Sequence, residues 1–519
     1  MPAPADSLPE RPGAPGTWRA GRKTSCSLAK PIHRPREPGL GRRVQHHVPE
    51  SLDQAGANLI ASLHLLVALL VTGHVLLTKR DVGASIGWIG IAWLSPFLGG
   101  FFYLTFGVNR VVRRARRLRP GQRDSGAEGP APADQQRDDH LGLLDRAAHR
   151  ITRRPAEPGN EVTLLIQGDE AYPQMLAAIA AAETSIALSS YILRADSLGS
   201  RFATALIEAQ ARGVAVRVLI DGVGSGWFNS PTYRALRRGG VPVARFMHSL
   251  LPWRMPFLNL RTHKKILCID GRIGFTGGLN IGAENVLADA PRHPVRDAHF
   301  RFEGPLVAQL VETFAEDWQF TLGEELEGPA WFPALAPCGL VTARVVISGP
   351  DQDIEKIEML VLQAIACARH SITIMTPYFL PDDRLVTGLA LASMRGVAVD
   401  IILPERSNHR ILDWAVNAEI APLLAAGCRI WRNPPPFEHS KLMTIDSAWC
   451  LIGSSNWDTR SFRLNFEVNV EVYDSGLATR LERLMAEKCR RRFSSKELAE
   501  RILPVRLRDA AARLLLPYL

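Results

Sequence analysis

Lysine is scarce in this chain: of its 62 basic residues nine are lysine and the rest arginine. Arginine fills most surface cation roles here, so a lysine at a repeated place marks a specific need for a compact ammonium. Cysteine is also sparse. Its seven residues are odd in number and scattered, with no C-x-x-C pair, which excludes a disulfide framework and fits a reducing compartment. Cys268 and Cys450 are expected as buried apolar fillers. The net charge of +10 calls for an anionic partner. No basic stripe interleaved with aromatics accompanies it, which argues against nucleic acid. Residues 1–57 have few large apolar side chains among much Pro, Arg, Gly and Ala, and are expected to be disordered. No secretory signal is apparent, because the first apolar segment starts too late and is too long.

That segment, Asn58 to Thr78, is an almost uninterrupted apolar run of membrane-span length. A second run, Ala84 to Val108, is broken by Pro96 and glycines and edged by Trp88, Trp93 and Tyr103, as a span tolerates. His64 and His74 read as uncharged packing residues. The two runs predict a two-helix transmembrane hairpin over residues 58–109. Arg42 and Arg43 precede it, and Arg110, Arg113, Arg114, Arg116 and Arg117 follow it, while only Lys79 and Arg80 lie between. This distribution predicts that both termini and everything after the hairpin lie in the cytoplasm. Residues 110–160 read as a basic juxtamembrane segment and linker, with one helix around Leu141–Arg150.

An internal repeat follows. Residues 161–335 form a first domain and 336–519 a second with C-terminal helices. Ala211-Arg-Gly-Val-Ala-Val-Arg matches Met394-Arg-Gly-Val-Ala-Val-Asp, and strands alternate with helices in both. The predicted fold class is α/β: two pseudo-twofold-related halves, each a mixed sheet flanked by helices. The strongest signal is a motif said twice. His263-Lys264-Lys265-Ile266-Leu267-Cys268-Ile269-Asp270 and His439-Ser440-Lys441-Leu442-Met443-Thr444-Ile445-Asp446 both read His-x-Lys-x4-Asp, and each leads to a small-residue turn and an Asn, Asn280 and Asn456. The apolar runs after each Lys predict short buried strands, on which i and i+2 share a face. His263 and Lys265 then point together, as do His439 and Lys441, with Lys264 on the other side. Asp270 and Asp446, on the opposite face, are read as structural acceptors for the following turn.

Paired imidazoles and ammonium groups suit a phosphodiester. One His attacks phosphorus, the other protonates the leaving alkoxide, and the lysines and asparagines hold the remaining oxygens. Each imidazole needs an acceptor on its other nitrogen. Asp297 and Glu467, on the next strand of each half, are the candidates. Ser454 stands where the first half has Gly278, so the two halves are not expected to contact a phosphate alike.

The two motifs resemble the HKD motifs of the phospholipase D superfamily. Trp457-Asp-Thr-Arg-Ser-Phe-Arg-Leu-Asn-Phe-Glu467 and Asn259-Leu-Arg-Thr-His-Lys-Lys resemble the signature of bacterial cardiolipin synthases. That resemblance implies phospholipase D-like domains at a bacterial inner membrane. It implies a phosphatidyl transfer between two phosphatidylglycerol molecules with release of glycerol. It also implies a phosphohistidine on His263, acid–base work by His439, and no metal or cofactor, since the lysines supply the charge. Which His attacks stays open, because the motifs are nearly equivalent. The acceptor stays open too: water would make a hydrolase, another alcohol a different transferase. A nuclease and a non-catalytic membrane scaffold are the readings of other classes, and oligomeric state is left undetermined. Residues 223–260 are apolar enough for an acyl-chain or membrane contact.

Overall fold

The computed structural model describes residues 50–79, 82–107, 139–248, 260–350 and 353–514. Most of the expected disordered N-terminus, the arginine cluster after residue 109, residues 118–138 of the linker and residues 249–259 of the apolar loop lie outside them. The chain divides after Phe101 into two units.

The first unit is built on a helix over Glu50–Thr78. Gln54–Thr78 is long and apolar enough to cross a membrane, with a mean hydropathy of 2.2, and Leu59, Leu66, Leu70 and Leu77 are exposed along it. The second apolar run is not one helix. It forms Val82–Leu94, breaks at Ser95 and resumes over Pro96–Phe102. Proline cannot donate to the helical ladder and restricts the residue before it, which explains the break. At about 1.5 Å per residue the first piece is about 20 Å long, short of the hydrocarbon core. Trp93 Nε1 donates to Thr72 Oγ1 at 3.1 Å, and the His64 ring meets Phe97 edge-on, so His64 packs as expected of it.

The second unit carries the repeat. In the first half the strands are β1 (Glu157–Ile166), β2 (Ser185–Ser190), β3 (Ala215–Asp221), β4 (Val243–Phe246), β5 (Arg261–Thr262), β6 (Ile266–Ile269), β7 (Ile273–Gly277), β8 (Val295–Arg296) and β9 (Ala298–Glu303). In the second they are β10 (Val341–Ser348), β11 (Ser371–Met375), β12 (Phe379–Leu380), β13 (Ala398–Pro404), β14 (Arg429–Asn433), β15 (Phe437–Glu438), β16 (Leu442–Ile445), β17 (Trp449–Gly453), β18 (Trp457–Asp458), β19 (Asn465–Tyr473) and β20 (Arg491–Phe493). The first half runs β4-β3-β2-β6-β7-β9-β1 and the second β10-β19-β17-β16-β11-β13-β14-β20, joined edge to edge through β1 and β10. Read outward from that junction, the two orders match strand for strand as far as β4 and β14, and the second half adds β20 at its edge. The junction is antiparallel, with Asn160 opposite Val341, as a twofold requires. β2-β3-β4 and β11-β13-β14 are parallel, and the remaining ladders of the path are antiparallel, so the sheet is mixed. One apolar core joins the halves, packing Phe300, Phe302 and Leu164 with Val345, Val470 and Ile452.

Within the segment read as linker the described residues begin at Asp139. The helix Gly142–Thr152 buries Leu144 and Ala148 in the core of the second half. Arg344, fully buried on β10, holds Asp145 of this helix and pairs with Glu471 of β19 at 2.9 Å.

Candidate active site

Each motif histidine stands just before its buried strand, where the chain crosses between halves. β5 pairs not with its own half but parallel to the start of β19, with Phe466 opposite Thr262. β15 likewise pairs with β8, with Arg296 opposite Glu438. The His263 N–H donates to the Phe466 carbonyl at 2.8 Å, and that of His439 to the Arg296 carbonyl at 2.7 Å. Each imidazole therefore meets the carboxylate of the other half. His263 Nδ1 lies 2.9 Å from Glu467 Oε2, and His439 Nδ1 lies 2.7 Å from Asp297 Oδ2. A carboxylate on Nδ1 fixes the proton there and leaves Nε2 to react. Both histidines line one cleft of about 870 Å3.

Lys265 and Lys441 are buried beside them, each donating Nζ to the carbonyl of its own His, at 2.8 Å for Lys265. Lys264 points away, into a buried ion pair with Asp317 at 2.9 Å. Asn280 and Asn456 line the cleft, and each has a buried side-chain oxygen without a partner among the described residues. A half-turn of either amide would offer N–H groups to an anion. Ser454 does not face the cleft: its Oγ donates to Glu467 Oε2 at 2.5 Å and accepts from the Val468 N–H at 3.0 Å. A Cβ on its counterpart Gly278 would stand 2.1 Å from Asp297 Oδ1. The asymmetry between the halves thus lies in how the two carboxylates are seated, a longer Glu with a serine and a shorter Asp with a glycine.

Asp270 and Asp446 take no part in the cleft and do not cap the turn that follows them. Both adopt positive φ at the far end of the motif strand. Asp270 accepts the N–H groups of Glu183, Thr184 and Ser185; Asp446 accepts those of Arg369, His370 and Ser371, and His140 Nε2 lies 2.9 Å from it. Burial opposes their charge, but these hydrogen bonds outweigh it and hold both carboxyls below the usual range. Each ties the motif strand to the entry of β2 or β11, its neighbour in the sheet. This is their structural role, with a different partner from the one expected.

Burial dominates the electrostatics. It lowers His263 well below the ordinary imidazole value, aided by Lys265 and Lys441, and it lowers His439 to about 4. The same desolvation brings Lys265 down to about 7 and Lys441 to about 8, although Glu467 and Asp297 favour their charge. Glu467 is raised to about 7 by burial, whereas burial of Asp297 is outweighed by Lys441 and His439 and its carboxyl stays low. In the free enzyme the lysines therefore lose protons as pH rises through 7 to 8. The expected outcome is a fall in kcat/KM for an anionic phosphodiester over that interval. The kcat limb should lie higher, because a bound anion favours the ammonium forms. A kcat/KM profile flat to about pH 9 would show that both lysines keep their ordinary basicity.

Sequence reasoning missed Tyr191. Its ring meets that of His263 edge-on at 4.8 Å, and Lys265 Nζ lies 5.4 Å from its centre. The signal available was its position just past the C-terminal end of β2, at the cleft.

A family described as "Cardiolipin synthase, PLD-like domain" matches residues 175–318 and 361–489, one segment in each half. The chain is 32% identical over 466 residues to a cardiolipin synthase of Geobacillus kaustophilus (strain HTA426), covering 88% of this chain and 92% of the relative. It is 35% identical over 440 residues to cardiolipin synthase A of Pseudomonas fluorescens (strain SBW25), covering 83% and 91%. The chain belongs to the cardiolipin synthase family. It is an enzyme of phosphatidyl transfer built from two phospholipase D-like halves. The fold is shared with the crystal structure of a phosphatidylserine synthase from Haemophilus influenzae Rd KW20, at a TM-score of 0.56 and 14% identity, over 72% of this chain and all of that one. The two motif histidines, His263 and His439, one from each matched segment, both line the cleft.

Proposed function

We propose that the chain joins two phosphatidylglycerol molecules into cardiolipin and glycerol through a phosphohistidine on His263. His263 Nε2 attacks the donor phosphorus. The bond from phosphorus to the glycerol oxygen breaks, and His439, held as the imidazolium by Asp297 and the bound anionic phosphodiester, gives its Nε2 proton to that oxygen. The terminal hydroxyl of the second lipid then gives its proton to His439 and attacks phosphorus, and the N–P bond breaks. Lys265, Lys441, Asn280 and Asn456 hold the non-bridging oxygens, and Glu467 and Asp297 orient the imidazoles. Asp270 and Asp446 brace the strands. The observation that carries this reading is the pair of Nδ1-anchored imidazoles opening on one cleft.

The apolar Gln54–Thr78 helix would hold the site at its lipid substrate. The arginines on either side of the hairpin favour a catalytic unit on the cytoplasmic face. Sealed inverted membrane vesicles containing the full-length protein test both points. Labelled phosphatidylglycerol should yield cardiolipin and glycerol in equal amounts. Phosphatidic acid without cardiolipin would make the enzyme a hydrolase. Protease added outside should destroy the activity, and its survival would put the unit on the other face.

A further inference from the structure

The cleft holds more positive charge than one phosphodiester uses, and that charge is unevenly placed. Of the arginines that line it, Arg194 is paired with Glu284 at 3.0 Å, and Arg261 donates to the Leu260 carbonyl at 2.8 Å beside Asp221. Arg460 is engaged as well. Arg292 and Arg406 differ. Both are exposed to the cleft, and neither has a hydrogen-bond or ion-pair partner among the described residues.

Both belong to the His439 side. Arg292 lies three residues before β8, the strand that pairs with β15 and whose Arg296 carbonyl receives the His439 N–H. Arg406 lies just past β13, on the loop held by Tyr378, whose hydroxyl donates to Asn408 at 2.5 Å and whose ring lies 6.2 Å from that of His409. The same Tyr378 ring is 6.2 Å from Phe437, which is 5.9 Å from His439. Around His263 the cleft presents Tyr191, Ile192 and Val223 instead.

We propose that Arg292 and Arg406 form a second anion subsite, which takes the phosphodiester of the acceptor lipid while the His–Lys floor holds the donor's. This rests on the reading of His439 as the group that deprotonates the acceptor. An acceptor phosphatidylglycerol carries its own phosphate three carbons from the hydroxyl that must reach His439. Two guanidinium groups, unpartnered among the described residues and lining the same cleft as that base, are available to hold it. The subsite selects an anionic alcohol over water or a neutral alcohol at the second step: the hydroxyl O–H passes its proton to His439, the new O–P bond forms and the N–P bond breaks.

The test is a competition in one mixture, with the full-length protein in phosphatidylglycerol vesicles and ethanol as a neutral acceptor. Arg292→Gln and Arg406→Gln should each lower the ratio of cardiolipin to phosphatidylethanol about tenfold or more, and Arg406→Lys should restore part of it. That ratio does not depend on how much enzyme is folded. Glycerophosphoglycerol, which carries the phosphodiester without acyl chains, should lose ground to ethanol in the same variants; if only the full lipid does, the arginines read chains or surface and the subsite is refuted. An unchanged ratio in both variants also refutes it. A wild-type enzyme that makes phosphatidylethanol but no cardiolipin overturns the proposed function itself, a result distinct from either of these.

Discussion

His439→Ala is expected to release one equivalent of p-nitrophenolate from a phosphatidyl ester with that leaving group and then stop. His263→Ala is expected to release none. The argument rests on the division of labour. An imidazole that attacks phosphorus is needed whatever leaves, whereas an imidazole that protonates the leaving oxygen is dispensable when the leaving group is already a stable anion. The His439→Ala enzyme should therefore be phosphorylated on His263 and stall, lacking the base that activates the acceptor. With phosphatidylglycerol itself both variants should fall by about a thousandfold or more, as when one member of a catalytic triad is removed. A burst from His263→Ala, with the label recovered on His439, would reverse the assignment. The near-twofold symmetry of the cleft makes that reversal the one serious rival.

The repeat, the alternation of strands and helices, and the short buried strands after each Lys were legible because they rest on local periodicity and on a motif written twice. Asp297 and Glu467 were legible as carboxylates on the following strand. Their pairing was not. Which imidazole each meets is decided by β5 and β15, two residues long, which leave their own half to pair with β19 and β8. Two-residue pairings between segments that bring together residues 204 and 142 positions apart leave no periodic trace. The partners of Asp270 and Asp446 were hidden for the same reason: they belong to the neighbouring strand in the sheet, not to the turn next in sequence. Pro96 was visible as a break in the second apolar run, yet composition alone could not say whether the helix would bend through it or stop. The helix at Leu141–Arg150 was read correctly as a helix, but its attachment to the second half depends on Arg344, far along the chain. Arg292 and Arg406 could not be told from any other arginine in a chain so rich in them.

The crossed pairing carries the second large prediction. If each carboxylate served the histidine of its own half, Asp297→Asn would cripple the nucleophile. The geometry reverses this: Asp297 anchors His439, and Glu467 anchors His263. Asp297→Asn should then behave as a milder His439→Ala, keeping the nitrophenolate burst and losing turnover on phosphatidylglycerol by about a hundredfold to ten-thousandfold, since the amide no longer fixes the tautomer or stabilises the imidazolium. Glu467→Gln should behave as a milder His263→Ala, with the burst itself slowed. The two carboxylates are also not equivalent electrostatically. Asp297 stays ionised between Lys441 and His439, whereas Glu467 is raised to about 7 by burial. Replacing Glu467 with a neutral amide therefore removes less charge at neutral pH, and its loss should be the smaller of the two. The decisive measurement is the burst phase: if Asp297→Asn loses it and Glu467→Gln keeps it, each half orients its own histidine in solution, and the exchange of β5 and β15 between halves is not the working arrangement.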